Sequence, residues 1–299
     1  MNPIIKKYFP TIVCLYLALQ FSSMAIWARM MRDSFSTGQQ VFSRLIFALV
    51  LSLILFHKQF SKKIIKNIPS KEWAVYITRA VLYYGIGVML FTIAVNNSDL
   101  GFVSFVSSIP IMGVLGWIFF REKIRPIAIL YILISLIGLI LLAKISLSDF
   151  KIDKNLIVIL IMTLAFDISW IMAKAQKLTL NNFQQTTLVF SFAWIIPLIY
   201  TIANGENIFP SSISMKALVG LIMSGTLNIA GLYIGNYVYT NLKAYVAGNI
   251  LLIQGAFSLL LGYIFYSESF SVGQFIGAAI IAICAIIISR IDHKEDIPI

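Results

Sequence analysis

Residues 117–123 read Trp-Ile-Phe-Phe-Arg-Glu-Lys, and residues 262–269 read Gly-Tyr-Ile-Phe-Tyr-Ser-Glu-Ser. In both stretches a long apolar run ends at a glutamate, Glu122 in the first and Glu268 in the second. The two glutamates lie 146 residues apart, which is close to half of the 299-residue chain. This spacing predicts that the chain contains two copies of one apolar unit.

Other residue pairs share this spacing. Each match is weak alone, but their common offset of 145 or 146 residues makes chance a poor explanation. We therefore predict two repeats, residues 1–145 and 146–299, which meet in the polar stretch 145–155. The matched pairs are Gln39-Gln40 with Gln184-Gln185, Phe21-Ser22 with Phe166-Asp167, Ala28-Arg29 with Ala173-Lys174, and Gly116 with Gly262.

Composition places both repeats in a membrane. Apolar residues make up 60% of the chain and the mean hydropathy is +0.91, which excludes a soluble domain. A bilayer span needs about 20 mostly apolar residues, and it is helical because backbone groups in lipid must be hydrogen-bonded within the segment. The predicted spans are 8–28, 36–57, 73–95, 100–120, 126–144, 155–174, 181–203, 215–238, 244–266 and 270–290.

The number of spans decides how the repeats are related. Each repeat holds five spans, and an odd number forces the second copy to sit upside down in the membrane. We therefore expect an all-α integral membrane protein of ten transmembrane helices, built as two inverted five-helix repeats. Inverted repeats form a site near the bilayer midplane that can face either side. Such an arrangement is typical of a secondary transporter that works by alternating access.

The positive charge of the chain follows this topology. The formal net charge is +11, and with a cytoplasmic amino terminus fifteen of the 23 lysines and arginines fall inside and six outside. This asymmetry obeys the positive-inside rule, so we expect both termini in the cytoplasm and the protein in the cytoplasmic (inner) membrane. Lipid headgroups, and not nucleic acid, are the expected partners of this charge.

A further group of residues resembles a known family. Residues 94–101 read Ala-Val-Asn-Asn-Ser-Asp-Leu-Gly, and they are followed by Pro110, by Phe-Arg-Glu-Lys at 120–123, and by Gly138. This order resembles the first repeat of the EamA type of the drug/metabolite transporter (DMT) superfamily. In that family a short turn joins spans three and four, a proline sits in span four, a glutamate with a basic neighbour ends it, and a glycine marks span five.

The resemblance covers nearly all of the chain and implies a ten-helix carrier of small organic metabolites in a cytoplasmic membrane. Arg44 resembles an arginine often found in span two of the family. The second repeat departs from the first, because Ala256 stands where Pro110 is matched and Val189 stands where Arg44 is matched. The family's substrates are varied, so the resemblance names none.

Three ionisable residues lie inside predicted spans, where a charge costs about 2.5–3.5 kcal/mol on insertion scales. Asp167 is either a site for a substrate ammonium or a proton, or a buried partner of an arginine or a hydroxyl. Arg79 lies seven residues after Glu72, about 10 Å into the bilayer, and we expect its side chain to extend back to the cytoplasmic surface. Arg44 lies too deep for this. It either binds a substrate carboxylate through its two-pronged guanidinium or, as the resemblance favours, ties span two to its neighbours.

Polar and aromatic residues near the midplane are the remaining candidates for substrate specificity. Trp170 follows Asp167 by three residues and shares its helix face, and Trp27 follows Gln20 by seven. Such residues often serve only to hold helices together, but collectively they predict a polar, aromatic-lined cavity between spans one, three, four, six, eight and nine. The predicted substrate-binding residues are Asp167, Trp170, Gln20, Trp27, Tyr83, Tyr84, Ser107, Asn228, Gln254 and Arg44.

Residues at span ends and bends form a second, structural or gating set. Glu122 and Glu268 sit at span ends on opposite faces of the membrane, where we expect capped, solvated or ion-paired carboxylates that help to stabilise one carrier state. Pro110 and Pro197 are expected to bend their helices. Arg79 completes this set.

Several functional classes lack their signatures. No phosphate-binding glycine loop followed by Lys and Ser or Thr is present, which argues against ATP as the driver. No zinc pattern and no Ser–His arrangement lies in the spans, so we expect no metal, no other cofactor and no enzymatic activity. His57 and His293, the only histidines, lie at or beyond span ends.

The sequence therefore predicts a carrier whose substrate is an amino acid or a related zwitterionic metabolite. A buried acid together with buried arginines would complement both charges of a zwitterion. Coupling to protons through Asp167 is a hypothesis. The alternatives are a carrier of a larger nucleoside-type metabolite such as S-adenosylmethionine, a non-transporting membrane scaffold, a channel, and a membrane enzyme acting on lipid-linked substrates.

Overall fold

A computed structural model of the protein describes residues 3–97, 103, 107, 111–143, 154–175, 179–267 and 269–293. Within these ranges all regular secondary structure is helical. Nine of the helices in them are long and apolar enough to cross a membrane, and the shorter apolar helix Ile111–Phe120 is the described part of the fourth predicted span. In chain order we label them α1 (Tyr8–Met31), α2 (Thr37–Gln59), α3 (Ser70–Asn97), α4 (Ile111–Phe120), α5 (Pro126–Ala143), α6 (Lys154–Ala175), α7 (Asn182–Ala203), α8 (Met215–Asn241), α9 (Ala244–Phe265) and α10 (Val272–Ile291).

The two copies begin their second helix in the same way. At α2 the Ser36 side chain accepts a hydrogen bond from the backbone of Gln39, whose own side chain accepts one from the Ser36 backbone at 3.0 Å. At α7 Asn181 and Gln184 form the same reciprocal pair, with both distances 3.0 Å. Such a box satisfies backbone donors that a helix start leaves free. The matched glutamines of the sequence therefore occupy one structural role.

These glutamines also join the copies to each other. Gln39 Nε2 donates to the carbonyl of Asn207, in the connection after α7, at 2.7 Å. Gln184 Nε2 donates to the carbonyl of Gln59, at the end of α2, at 2.6 Å. Each second helix is thus tied at its start to the end of the other copy's second helix, as a two-fold relation between the copies requires.

The packing of the helices shows the same two-fold relation between the copies. α1 packs on α8 and α9, as α6 packs on α3 and α4, while α2 packs on α7, α4 on α9 and α5 on α10. Replacing each helix by its counterpart in the other copy leaves this set of pairs unchanged. The two-repeat, all-helical prediction is therefore confirmed. The boundary at residue 145 lies outside the described residues and stays a prediction.

The bundle has two ends, and we call the end at which α1 begins the near end and the opposite end the far end. Cys14, close to the start of α1, has its Sγ 3.8 Å from the carbonyl oxygen of Ala247, close to the start of α9. Lys174, at the end of α6, donates to the carbonyl of Leu242, just before α9, at 2.6 Å. The first helix of one copy therefore begins at the near end and the first helix of the other ends there, so the copies are inverted.

Three helices depart from α geometry near the centre. α3 continues as a π-helix over Ala80–Val88, a form that is frequent at functional sites. α7 is interrupted at Trp194, three residues before Pro197, because proline cannot donate to the preceding turn and crowds it. α9 is interrupted at Leu252. Pro110 lies outside the described residues.

Small residues bring α5 and α10 into close contact. A Cβ built on Gly138 would lie 2.9 Å from the carbonyl oxygen of Gly277, and one built on Gly277 would meet the backbone of Gly138 and Leu142. Small residues let helices approach closely in a membrane, and at these two positions any side chain would clash with the facing backbone. Gly273 lies four residues before Gly277 on α10, but its side-chain position is open, with no atom nearer than 3.9 Å. Of these two glycines, Gly277 alone therefore forms the close contact.

Candidate functional site

A cavity of about 170 Å³ opens between the helices at mid-depth. A cavity of this size holds on the order of ten waters. Its walls come from α1, α2, α3, α6, α8 and α9, together with Met112 of α4 and residues 103 and 107. Nine of the ten predicted substrate-binding residues line it, namely Gln20, Arg44, Tyr83, Tyr84, Ser107, Asp167, Trp170, Asn228 and Gln254.

Trp27 is the predicted residue that does not line this cavity. Its ring nitrogen donates to Ser23 Oγ at 3.3 Å, and its ring packs edge-on against Phe265 with the centroids 6.1 Å apart. Trp27 lies seven residues beyond Gln20 toward the far end, so a shared helix face did not guarantee a shared depth.

The Asp167 carboxylate has no hydrogen bond or ion pair with any described residue. Its side chain lines the cavity on the face of α6 that also carries Trp170. Neither buried arginine forms an ion pair with Asp167. Arg44 and Arg79 donate hydrogen bonds to other residues instead. No arginine partner of Asp167 is therefore found among the described residues, and its role as a site for a substrate ammonium or a proton stays a prediction.

Arg44 links α2 to α3 and still reaches the cavity. Its Nε donates to the carbonyl of Gln40 at 3.2 Å, and its Nη2 donates to Thr92 Oγ1 at 2.8 Å. The Thr92 hydroxyl donates a hydrogen bond to the carbonyl of Val88 at 2.8 Å, so its oxygen is free to accept one from Arg44. Nη1 of Arg44 has no partner among the described residues. The side chain thus braces two helices and retains one donor group beside the cavity.

The prediction that Arg79 extends to the membrane surface is wrong. Arg79 is fully buried, and its Nη2 donates to Asn236 Oδ1 of α8 at 2.6 Å. Its guanidinium carbon lies 5.9 Å from the centre of the Trp170 ring. The side chain turns inward because an amide acceptor and an aromatic face on other helices replace water there. The sequence could not show this, since Asn236 lies 157 residues away.

Two amides beside the cavity retain free hydrogen-bonding atoms. Gln20 Nε2 donates to the carbonyl of Leu227 at 2.5 Å, and its Oε1 has no donor among the described residues. Nδ2 of Asn228 likewise has no acceptor there. Both side chains are more than nine-tenths buried. α1 and α8 thus bring an unused acceptor and an unused donor to one wall.

Aromatic rings in mutual contact form the wall that faces the near end. The Tyr83 ring lies 4.8 Å from Phe166 and 5.1 Å from Trp170, measured between centroids. Trp170 stacks on Tyr239 of α8 at 4.8 Å. Sequence reasoning missed Phe166 and Tyr239. Phe166 adjoins Asp167, which was a usable signal, whereas Tyr239 lines the cavity from a position near a helix end, where the sequence gives no such signal.

A polar junction holds four segments together at the near end. Glu122 Oε1 forms an ion pair with Lys174 Nζ at 2.9 Å, and Oε2 accepts from the backbone of Ala244, the first residue of α9, at 2.8 Å. Lys174 also donates to Leu242, as described above. The expectation of a capped and ion-paired glutamate at the end of α4 agrees with this geometry. Glu268 lies outside the described residues.

The backbone at these two span ends repeats as well. Arg121 and Ser267, which are 146 residues apart, both have φ 53°, a left-handed conformation that is uncommon for residues other than glycine. Each directly precedes one of the two matched glutamates. A residue in the same left-handed conformation therefore follows both α4 and α9.

Comparison with known proteins agrees with this architecture. The EamA-like transporter family matches the chain twice, over residues 9–144 and 154–290. A solved crystal structure of another protein superposes with a TM-score of 0.73 over 96% of this chain and 99% of that one, at 12% sequence identity, which shows a shared fold. No curated protein sequence matches the chain. Since the two family matches together cover most of its length, this chain belongs to the EamA-like transporter family, and it is a multi-pass membrane transporter of small molecules.

Proposed function

We propose that the protein is a secondary carrier of an amino acid or a related zwitterionic metabolite. The observation that carries this proposal is the presence of Asp167 and Arg44 at one cavity without an ion pair between them. A carboxylate attracts an ammonium group, and the unused Nη1 of Arg44 suits a carboxylate. A zwitterion supplies both groups in one small molecule. The aromatic wall would then cover its apolar side chain.

Transport would proceed by alternating access between the near and far ends. The near-end junction and the stack of Trp170 on Tyr239 lie between the cavity and one surface, and inverted repeats offer a matching arrangement for the other. Opening at the near end would require separation of the ends of α4 and α6. The two states would then differ by which end is closed.

A proton gradient is the proposed energy source, with Asp167 as the group that binds the proton. A carboxylate without a fixed partner in a membrane cavity can exchange its charge more easily than one held in an ion pair. The other titratable or charged groups at this cavity are Arg44, Tyr83, Tyr84 and Tyr239. Arg79 lies behind Trp170. The membrane would be the cytoplasmic one, with both termini in the cytoplasm, as the positive-inside asymmetry favours.

Uptake of labelled L-amino acids by proteoliposomes tests the proposal. We expect saturable uptake and counterflow that a pH gradient accelerates. Asp167→Asn should abolish the response to the gradient, while Asp33→Asn, at a side chain that is 69% exposed, should leave it unchanged. Absence of uptake of any amino acid by protein that remains folded would refute the substrate class. A gradient response that survives in Asp167→Asn would remove the coupling role.

A carrier of a larger nucleoside-type metabolite, such as S-adenosylmethionine, is the second candidate. The free acceptor of Gln20 and the free donor of Asn228 match the edge of a planar heterocycle, and the aromatic wall could stack on its face. Competition by adenosine against amino-acid uptake separates the two candidates. Stabilisation of the purified protein by either compound would count against a scaffold that binds no small molecule.

A further inference from the structure

We propose that Arg79 is a second binding site for a substrate carboxylate, covered by Trp170 in this structure and uncovered when the bundle opens at the near end. The inference rests on the proposed carrier function and adds to it a substrate class, because it requires an anionic group. It also gives the two ends of the carrier different anion-binding residues, Arg44 toward the far end and Arg79 toward the near end.

The guanidinium of Arg79 has more donors than its surroundings use. Only Nη2 is bonded, to Asn236 Oδ1 at 2.6 Å, and Asn236 is held in that orientation by its Nδ2, which donates to Asn182 Oδ1 at 2.8 Å. Nε and Nη1 are buried and have no acceptor among the described residues. Buried donors are nearly always satisfied in proteins. A carboxylate is the ligand whose two oxygens suit such a planar fork.

The balance of charges at the centre of the bundle also favours a bound carboxylate. Arg44, Arg79 and Asp167 form no ion pair with one another, and arginine keeps its proton even when buried. Glu72, two turns before Arg79 on α3, is already bonded to the Tyr76 hydroxyl and to the backbone of Thr179, each at 3.0 Å. The described centre therefore holds two positive groups and one negative group, and a carboxylate would balance them.

Trp170 separates the two guanidinium groups. It lines the cavity together with Arg44, whereas Arg79 lies behind its ring, 5.9 Å from the centroid. At 1.5 Å per residue, Arg44 lies about 10 Å from the far end of α2, and Arg79 lies about 14 Å from the near end of α3. The two guanidinium groups thus stand at comparable depths from opposite ends.

The near-end junction controls the helix turn that carries Trp170. Lys174, four residues after Trp170, lies on the same face of α6, and it is the residue held by Glu122 and Leu242. Releasing Lys174 frees this turn of α6 to move away from α8. Movement of Trp170 with it would uncover the free edge of Arg79 to a ligand entering from the near end.

Chemical modification of arginine tests this site without knowledge of the natural substrate. Phenylglyoxal is added to membranes that contain the full chain, and modification of Arg79 is followed by peptide mass spectrometry. We expect Arg79 to react at least about ten-fold faster in Lys174→Met and in Glu122→Gln than in the unaltered protein, the change expected when the uncovered state gains a factor of ten in population. Asp33→Asn serves as the matched control and should not change the rate.

Protection by a small anion identifies the ligand class. Sodium acetate should slow the modification of Arg79 in Lys174→Met, whereas acetamide and sodium chloride at equal ionic strength should not. Arg79 that stays unmodified in both junction variants, or that reacts without protection by acetate, would overturn the proposal. Amino-acid uptake by the unaltered protein together with an unreactive Arg79 would refute this site alone. A protected Arg79 in a protein that transports nothing would instead refute the carrier function.

Discussion

Removal of the Glu122 carboxylate should destabilise the protein and favour opening at its near end. Glu122 pairs with Lys174 through one oxygen at 2.9 Å and accepts from the backbone of Ala244 through the other at 2.8 Å. Glu122→Ala therefore leaves a lysine without its anion and a helix start without its acceptor. Lys174→Met removes only the cation, because the amino-terminal end of α9 still stabilises the Glu122 carboxylate.

The burial of this pair sets the size of the effect. The side chains are 8% and 17% exposed, so the pair is closer to buried pairs, where loss of one partner costs about 3–5 kcal/mol, than to exposed ones at about 0–1 kcal/mol. We expect Glu122→Ala to lower the free energy of unfolding by about 3 kcal/mol and Lys174→Met by about 2 kcal/mol. The double variant should lose about 1–3 kcal/mol less than the two single losses combined.

Equilibrium unfolding of the purified protein measures these free energies as a double-mutant cycle. Hydrogen exchange at the Ala244 amide reports the junction directly, because that amide is bonded to Glu122. A loss of about 3 kcal/mol corresponds to roughly 100-fold faster exchange in Glu122→Ala. Additive single-variant losses, with exchange at Ala244 unchanged, would refute the view that this junction holds the near end closed.

Two further predictions concern the scaffold. Gly277→Val should lower the melting temperature strongly, because its side chain would meet the backbone of Gly138, whereas Gly273→Val should have little effect since its side-chain position is open; equal effects of the two variants would contradict the packing of α5 on α10. Gln39→Ala and Gln184→Ala should each lower the free energy of unfolding by about 1–3 kcal/mol, because each removes one cap and one long-range hydrogen bond. A large difference between the two losses, measured by the same unfolding titration, would contradict their equivalence.

The spans could be predicted from sequence because bilayer thickness and backbone hydrogen bonding leave few choices for an apolar run of this length. The depth of a residue within its span could also be predicted from the sequence. Gln20 and Asn228 were both predicted near the midplane, and both line the same cavity. A shared helix face does not guarantee a shared depth. Trp27 shares its face with Gln20, but it lies seven residues closer to the far end and packs on Phe265 outside the cavity wall.

Partnerships between helices far apart in the chain could not be predicted. Arg79 looked close enough to the surface to reach water, but Asn236 on α8 provides a hydrogen bond that a sequence read one span at a time cannot reveal. The same holds for Lys174, because Glu122 was expected to be capped, solvated or ion-paired and the sequence did not show which residue it would contact. Such contacts depend on how the two copies interleave, which a hydropathy pattern does not contain.

The two copies share the helical scaffold but not the charged residues of the candidate site. At the offset of 145 residues, Arg44 corresponds to Val189, Arg79 to Ser224, and Asp167 to Ser22, so each buried charge has an uncharged counterpart. The caps of α2 and α7 and the reversals at Arg121 and Ser267 are instead shared by both copies.

Equivalent scaffolds can exchange conformations at little difference in energy, which is what alternation between two ends requires. In the proposed alternating-access cycle, an asymmetric set of charges makes the two end states chemically different, so substrate affinity need not be equal at the two surfaces. In that proposed cycle the symmetry of the scaffold accounts for the switching, whereas the departures from symmetry determine what the protein binds and on which side it binds more tightly.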